Sequence, residues 1–163
     1  MNRYVTLSAA VASALAVMLF PAPVLAQKTT LPPGTAKVST EPVVIVQQIK
    51  LAIAEERKAM AVYEVAGPHD SIEEAHQAAS NGYVLIRSAK EGVQGIRATK
   101  KKFPDPVLEV VLQKLNAAWN KSRGPVDHIA PAGGNSRMGY LKVSVRQFSE
   151  TITMLEQILL MWP

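Results

Sequence analysis

Three residues in one short segment carry side chains that transition metals bind. His69, Glu73 and His76 stand at i, i+4 and i+7, which places them on one face of a helix that includes all three. Two imidazoles and one carboxylate suit Zn²⁺, Cu²⁺ or Ni²⁺. A structural interpretation competes, because His69 can lie in the preceding loop and acidic residues are favoured near a helix N-terminus. The spacing predicts at most a weak site for a divalent metal ion.

A second candidate set belongs to a corner motif that occurs twice. Residues 67–86 and 124–143 align without a gap and share seven of twenty residues, which predicts an internal repeat of two helical hairpins. In one interpretation the motif ends a helix, turns the chain and buries its tyrosines. In the other, it lines a cleft for an anionic ligand, with arginines nearby. The side chains concerned are Asp70, Tyr83, Asp127, His128 and Tyr140.

Enzyme signatures are scarce in this chain. The absence of cysteine excludes a thiol nucleophile, disulfides and covalently attached haem. The sequence contains neither a phosphate-binding glycine loop nor a His-Glu-x-x-His zinc motif. If the protein were an enzyme, Glu55, Glu56 or Glu64 could act as an acid opposite Arg87. We therefore expect a protein that binds and does not catalyse.

Two further ligand classes can be weighed from composition. The net charge is +5, and the charges are spread along helix faces without the basic cluster typical of nucleic-acid binding. Nucleic acid is therefore not an expected partner. Haem bound without a covalent link between facing helices is an alternative. The candidate methionine ligands are Met60, Met138, Met154 and Met161. Methionines at helical spacing more often fill a hydrophobic core, so this structural interpretation competes with haem binding.

The N-terminal segment has the features of a cleaved signal peptide. Arg3 precedes an apolar run, two prolines interrupt it, and Ala26 follows as a small residue at the expected cleavage site. We expect cleavage after residue 26, a flexible leader over 27–40 and a bundle domain over 41–163. The expected location is periplasmic or secreted. No transmembrane segment is expected after cleavage.

The remaining chain predicts four amphipathic helices. Helix one is expected over 41–66, helix two from Ser71 to the basic residues at 100–102, helix three from Asp105 to Arg123, and helix four from about residue 135, after a loop over 124–137. In helix two a heptad seam contains a row of small residues, where Asn81-Gly82 is either a packing position or a turn. The apolar seam expected for helix four is Met138, Leu141, Val145, Phe148, Ile152, Leu155, Leu159 and Trp162.

Part of helix two also resembles a known family. The run Ile72-Glu-Glu-Ala-His-Gln-Ala-Ala-Ser-Asn-Gly82, with Ser88-Ala-Lys-Glu-Gly-Val93 downstream, is similar to the small periplasmic metal-binding proteins, which carry histidines on alanine-rich helices. The resemblance implies a metal-binding role for His76 and, beside it, His69. Where that family would show histidine, this chain has Tyr83 and Ser88, so the resemblance does not imply a high-capacity metal buffer.

Together these patterns predict an all-α four-helix bundle built from two hairpins. The leading functional hypothesis is an exported binding protein with a divalent transition metal as its ligand. The alternatives are a non-enzymatic module that binds another protein of the cell envelope, and a bundle that binds a small molecule or haem.

Overall fold

The described part of the chain folds into four long helices. The computed structural model describes residues 36–99, 105–128, 130 and 134–162, all of which lie in one unit, Leu31–Pro163. The helices are α1 (Pro42–Val65), α2 (Glu73–Thr99), α3 (Pro106–Asp127) and α4 (Gly134–Met161). Each packs against two neighbours, with α1 and α3 both contacting α2 and α4. This arrangement is the predicted all-α four-helix bundle.

The start of α3 follows its sequence signal, but its end does not. The Asp105 side chain accepts a hydrogen bond from Val107 N, and Pro106 occupies the first turn. The predicted stop at Arg123 is wrong, because the helix continues through Pro125 to Asp127. Proline removes one donor, yet the His128 N–H still donates to the Gly124 carbonyl at 3.3 Å. Of the loop expected over 124–137, residues 124–127 belong to α3 and residues 134–137 belong to α4.

Asn81-Gly82 does not turn the chain, since α2 runs through both residues without a break. Gly82 is buried, as are the small residues Ala75 and Ala89 of the same heptad row. The interpretation of Gly82 as a packing position is therefore correct. A glycine inside a helix costs about 1 kcal/mol relative to alanine, so this position has a packing reason, which the site geometry below supplies.

The buried face of α4 is rotated from the predicted seam. Leu141, Phe148, Ile152 and Leu155 are buried as expected, but Met138, Val145, Leu159 and Trp162 are only partly buried. A second row, one residue earlier in each heptad, completes the buried face of this helix. Three of its four members are polar, which is why apolar periodicity did not reveal it; they are Arg137, Ser144, Thr151 and Ile158.

The structure does not show the internal repeat. Gly67 lies in the loop after α1, whereas its aligned partner Gly124 lies within α3. Gly82 is buried between helices, whereas a Cβ built on its aligned partner Gly139 would meet no atom within 4 Å. Residues 129 and 132 of the second copy lie outside the described residues.

Gly139 offers a direct test of the packing around α4. We expect Gly139→Ala to raise the free energy of unfolding by about 1 kcal/mol, since alanine is the better helix former and its methyl group meets open space. The matched control is Gly134→Ala at the start of α4. Gly134 has a φ of +68°, where alanine is strained, and this variant should lose about 1 kcal/mol. Urea unfolding measures both, and a destabilised Gly139→Ala variant would contradict the described exposure.

The residues that the structure describes begin within the predicted leader, at residue 36. The signal peptide over 1–26 and the first part of the leader lie outside the described residues. Residues 36–40, which we call the strap, lie against α1 and α2. Side chains of these two helices donate hydrogen bonds to main-chain carbonyls of the strap. Among the helices that the structure describes, none combines the length and the apolar character needed to cross a membrane.

Candidate functional site

The predicted metal ligands are not brought together as a site. His69 is exposed in the corner before α2, and Glu73 is the exposed first residue of that helix. His76 is partly buried, and its Nε2 lies 3.3 Å from the Val126 carbonyl of α3. Among the described residues no three His, Cys, Asp or Glu side chains are placed to hold a metal ion. Metal binding at His69, Glu73 and His76 stays a prediction.

The corner residues are occupied by local structural contacts. Asp70 accepts a hydrogen bond from Gly67 N at 2.8 Å, which closes the turn after α1. The Tyr140 hydroxyl donates to the Pro125 carbonyl at 2.9 Å and so ties α4 to the end of α3. These contacts correspond to the structural interpretation of the motif.

The structure brings two of the corner residues together, since the Tyr140 hydroxyl also lies 3.3 Å from the His128 carbonyl oxygen, but Asp127 and Tyr83 have other partners. Asp127 forms an ion pair with Arg123, one helical turn earlier on α3. His128 follows α3 and is exposed. Tyr83 stacks on Trp119 of α3 with 5.7 Å between the ring centroids, and Lys90 Nζ lies 3.5 Å from the same indole ring. Tyr83 therefore belongs to the contact between α2 and α3.

One acidic residue of α1 is placed unlike the others. Glu56 is completely buried, whereas Glu64 is exposed and Glu55 is partly exposed and faces Asn81 at 3.5 Å. Neither carboxyl oxygen of Glu56 has a hydrogen-bond partner among the described residues. Arg87, the cation predicted opposite these acids, is exposed and pairs with Glu91. Buried polar groups without partners are rare in native proteins and call for a functional or structural reason.

Glu56 lies at the boundary between two hydrophobic clusters. The first cluster includes Ile53 of α1 and the second includes Ala59, so Glu56 separates them on that helix. Each of the other helices has one buried small or polar residue at the same boundary. We call the four residues the Glu56 layer; they are Glu56, Gly82, Ser122 and Thr151.

Cross-helix contacts beside the layer join its members in pairs, α1 with α2 and α3 with α4. Glu55 and Asn81, the residues before Glu56 and Gly82, face each other between α1 and α2. Lys121 and Glu150, the residues before Ser122 and Thr151, form an ion pair between α3 and α4. The Ser122 hydroxyl donates to the Trp119 carbonyl at 3.0 Å, while Thr151 Oγ1 is buried without a described partner. Each helix therefore contributes one buried small or polar residue near the boundary between the two hydrophobic clusters.

Gly82 makes room for the Glu56 side chain. A Cβ built on Gly82 would lie 2.8 Å from Glu56 Oε1, 3.1 Å from Cγ and 3.2 Å from Cδ. All three distances are shorter than ordinary van der Waals contact. The glycine in the small row of α2 is therefore the complement of the buried carboxyl on α1.

Burial raises the pKa of Glu56 from its ordinary value of 4.5 to about 8, because the ionised form loses its hydration and gains no partner. The charged groups near this level point outward. On α1 and α4 they are Arg57 and Glu156, which pair with each other, while Glu150 pairs with Lys121. On α2 the nearest titratable side chain along the helix is Tyr83, which faces Trp119. The sequence analysis identified Glu56 as one of three candidate acids. It did not predict that Glu56 alone would be completely buried.

The methionines named as haem ligands have packing contacts in the bundle. Met60, Met154 and Met161 are partly buried against the first cluster, and Met138 lies against the second. Methionine adapts to irregular gaps in hydrophobic cores, which accounts for these positions.

Comparisons with known proteins add no identification. No protein-family model, no curated protein and no solved structure matches the chain. The geometry of the Glu56 layer is therefore the feature that points to a function.

Proposed function

We propose that the protein is a non-catalytic binding protein of the cell envelope whose packing is controlled by protonation of Glu56. When the carboxyl is neutral, the four helices close around it. When it ionises, the bundle loosens and exposes apolar core surface to a partner protein. The observation that carries this proposal is the complete burial of a carboxyl group with no described hydrogen-bond partner for either oxygen.

Energetics support a role beyond stability. Even a neutral buried carboxyl without a partner costs about 1–3 kcal/mol, and an apolar side chain of similar volume at such a position is often more stabilising. The acid is nevertheless accommodated by a glycine on the facing helix, which itself weakens helix formation. The buried carboxyl and the facing glycine both reduce stability. Both are explained if the Glu56 carboxyl must change its charge. Strongly perturbed titratable groups are frequent at functional sites.

The same geometry argues for binding over catalysis. A general acid or base must lie within hydrogen-bond distance of the substrate atom with which it exchanges a proton, or reach that atom through one water. Glu56 has no exposed surface in the closed bundle, so a substrate cannot contact it there. A proton is small enough to arrive through transient opening of the helices.

The proposal is tested by following tertiary packing between pH 5 and pH 9. Near-ultraviolet circular dichroism reports the packing of aromatic residues such as Tyr63 and Trp119, and a fluorescent apolar dye reports exposed core surface. We expect the wild-type protein to lose near-ultraviolet signal and bind more dye as the pH rises, while its far-ultraviolet spectrum stays helical. Glu56→Gln, which cannot ionise, should keep the packed state at every pH.

Glu64→Gln is the matched control, because Glu64 is an exposed acid on the same helix. This variant should follow the wild-type pH profile. A wild-type profile that is flat from pH 5 to pH 9, or one that Glu56→Gln reproduces, would contradict control by Glu56.

A further inference from the structure

The strap lies in a groove that is built to hold an extended chain. Gln48 of α1 donates from Nε2 to the Lys37 carbonyl at 2.8 Å, and Ser88 of α2 donates from Oγ to the Ala36 carbonyl at 3.0 Å. Both donors are buried, with exposed fractions of 7% and 4%. Because they bind main-chain carbonyls, they recognise an extended backbone whatever its side chains.

Two glycines of α2 let the strap approach closely. A Cβ on Gly92 would overlap the Ser39 carbonyl oxygen, and a Cβ on Gly95 would lie 2.6 Å from Thr40 Cγ2. With Ser88, these residues stand at i, i+4 and i+7 on one face of α2. Any residue other than glycine at position 92 would therefore keep an extended backbone out of the groove.

The strap leaves part of this groove unsatisfied. Gln48 Oε1, the acceptor of the same amide that binds the strap, is buried and has no hydrogen-bond partner among the described residues. A chain that placed a main-chain N–H or a hydroxyl at this oxygen would gain a hydrogen bond that the strap does not make. Filling an unpaired buried acceptor is more favourable than adding an exposed contact.

We propose that the groove formed by Gln48, Ser88, Gly92 and Gly95 is a docking site for an extended segment of another protein, and that the strap occupies it as an internal competitor. The foreign segment has small side chains where it passes the two glycines and donates to Gln48 Oε1. This inference does not depend on the proposed role of Glu56.

Lys37 in the strap provides a readout in the full chain. Lys37 is exposed, but trypsin can cut after it only when the strap leaves the groove, because proteases need an extended, detached segment. A synthetic peptide with the sequence of residues 34–42, in which glutamine replaces lysine, serves as the trans ligand. We expect the peptide to accelerate cleavage after Lys37 in a saturable manner, measured by mass spectrometry. A scrambled peptide should have no effect.

Gly92→Ala separates docking from unspecific loosening. This variant blocks the groove to both the strap and the peptide. We therefore expect the rate of cleavage after Lys37 to rise about tenfold or more and not to change when the peptide is added. Gly139→Ala, a glycine replacement in open space, should behave like the wild type. In an anisotropy titration, the fluorescent peptide should bind the wild-type protein and fail to bind Gly92→Ala.

Two outcomes would overturn the proposal. Cleavage after Lys37 that is fast in Gly92→Ala but unaffected by the peptide in the wild type would make the groove a structural seat for the strap alone. Wild-type cleavage that slows as protein concentration rises would assign the second occupant to another copy of this chain. Either result would leave the pH dependence expected from Glu56 unchanged, so the two proposals fail separately.

Discussion

Replacing Glu56 with glutamine will remove a large pH-dependent loss of stability. The folded-state pKa of Glu56 is raised from 4.5 to about 8, so the folded protein holds this proton more tightly than the unfolded chain. The contribution of the protonated group to stability is fully present below pH 4.5 and is lost as the pH rises towards 8. A shift of this size corresponds to about 5 kcal/mol, comparable with the whole stability of many domains.

The measurement is urea unfolding of the wild type and Glu56→Gln at steps from pH 4 to pH 9. The difference between the two free energies of unfolding isolates Glu56, since other groups titrate equally in both proteins. Glu150, for example, has its pKa lowered by the hydrogen bond from Lys121, so its contribution is lost in acid, in the opposite direction. A difference that stays constant across this range would show that Glu56 is hydrated or paired in the folded protein.

The fold was predictable because the helices have local signals in the sequence, and α3 shows them most directly. Asp105 with Pro106 marks the start of α3, and the stripe of Leu108, Val111 and Leu115 is buried as periodicity predicts. Pro125 misled the prediction of the end of α3. A proline is tolerated near a helix end when later residues still find acceptors, as His128 does at the Gly124 carbonyl.

The strap was not predictable because its contacts join distant parts of the chain. Residues 27–40 have no periodicity, and two prolines suggested a flexible leader. Residues 36–40 are held by Gln48 on α1 and by Ser88 and Gly92 on α2, which lie up to 53 residues from the strap residue that they contact. The glycines gave a signal in retrospect, since Gly92 and Gly95 lie one helical turn apart inside a long helix, where glycine is unfavourable.

The candidate site was also not predictable from the sequence alone, because it depends on contacts between helices. The spacing of His69, Glu73 and His76 is visible in the sequence because residues that share a helix face recur at regular intervals. The spacing does not show which of Glu55, Glu56 and Glu64 is buried, since burial of a carboxyl group depends on what the neighbouring helices place against it. Here the determinant is Gly82 on α2, whose missing side chain leaves room for the Glu56 carboxyl in the packed bundle.

The effect of Gly82→Ala on the free energy of unfolding will change sign with the residue at position 56. In the wild type, the methyl group of Gly82→Ala would lie within 2.8 Å of Glu56 Oε1, and a fully buried side chain has little space to move. We expect this variant to lose about 1–3 kcal/mol of stability despite the better helix propensity of alanine. In a Glu56→Ala background the obstructing atoms are absent, and Gly82→Ala should stabilise the protein by up to about 1 kcal/mol.

This double-mutant cycle should be measured by urea unfolding at pH 5, where Glu56 is protonated in the folded protein and the contact under test is with the neutral carboxyl group. Residues in direct contact show coupling energies of about 0.5–3 kcal/mol, whereas distant residues add independently. Gly139→Ala supplies the distant comparison, since its new methyl group meets no atom within 4 Å, and its effect should be the same in both backgrounds. Equal effects of Gly82→Ala in the two backgrounds would place the Glu56 carboxyl away from α2 and remove the glycine from the site. A reversal of sign would establish that α2 carries a glycine at this position because α1 carries a buried acid.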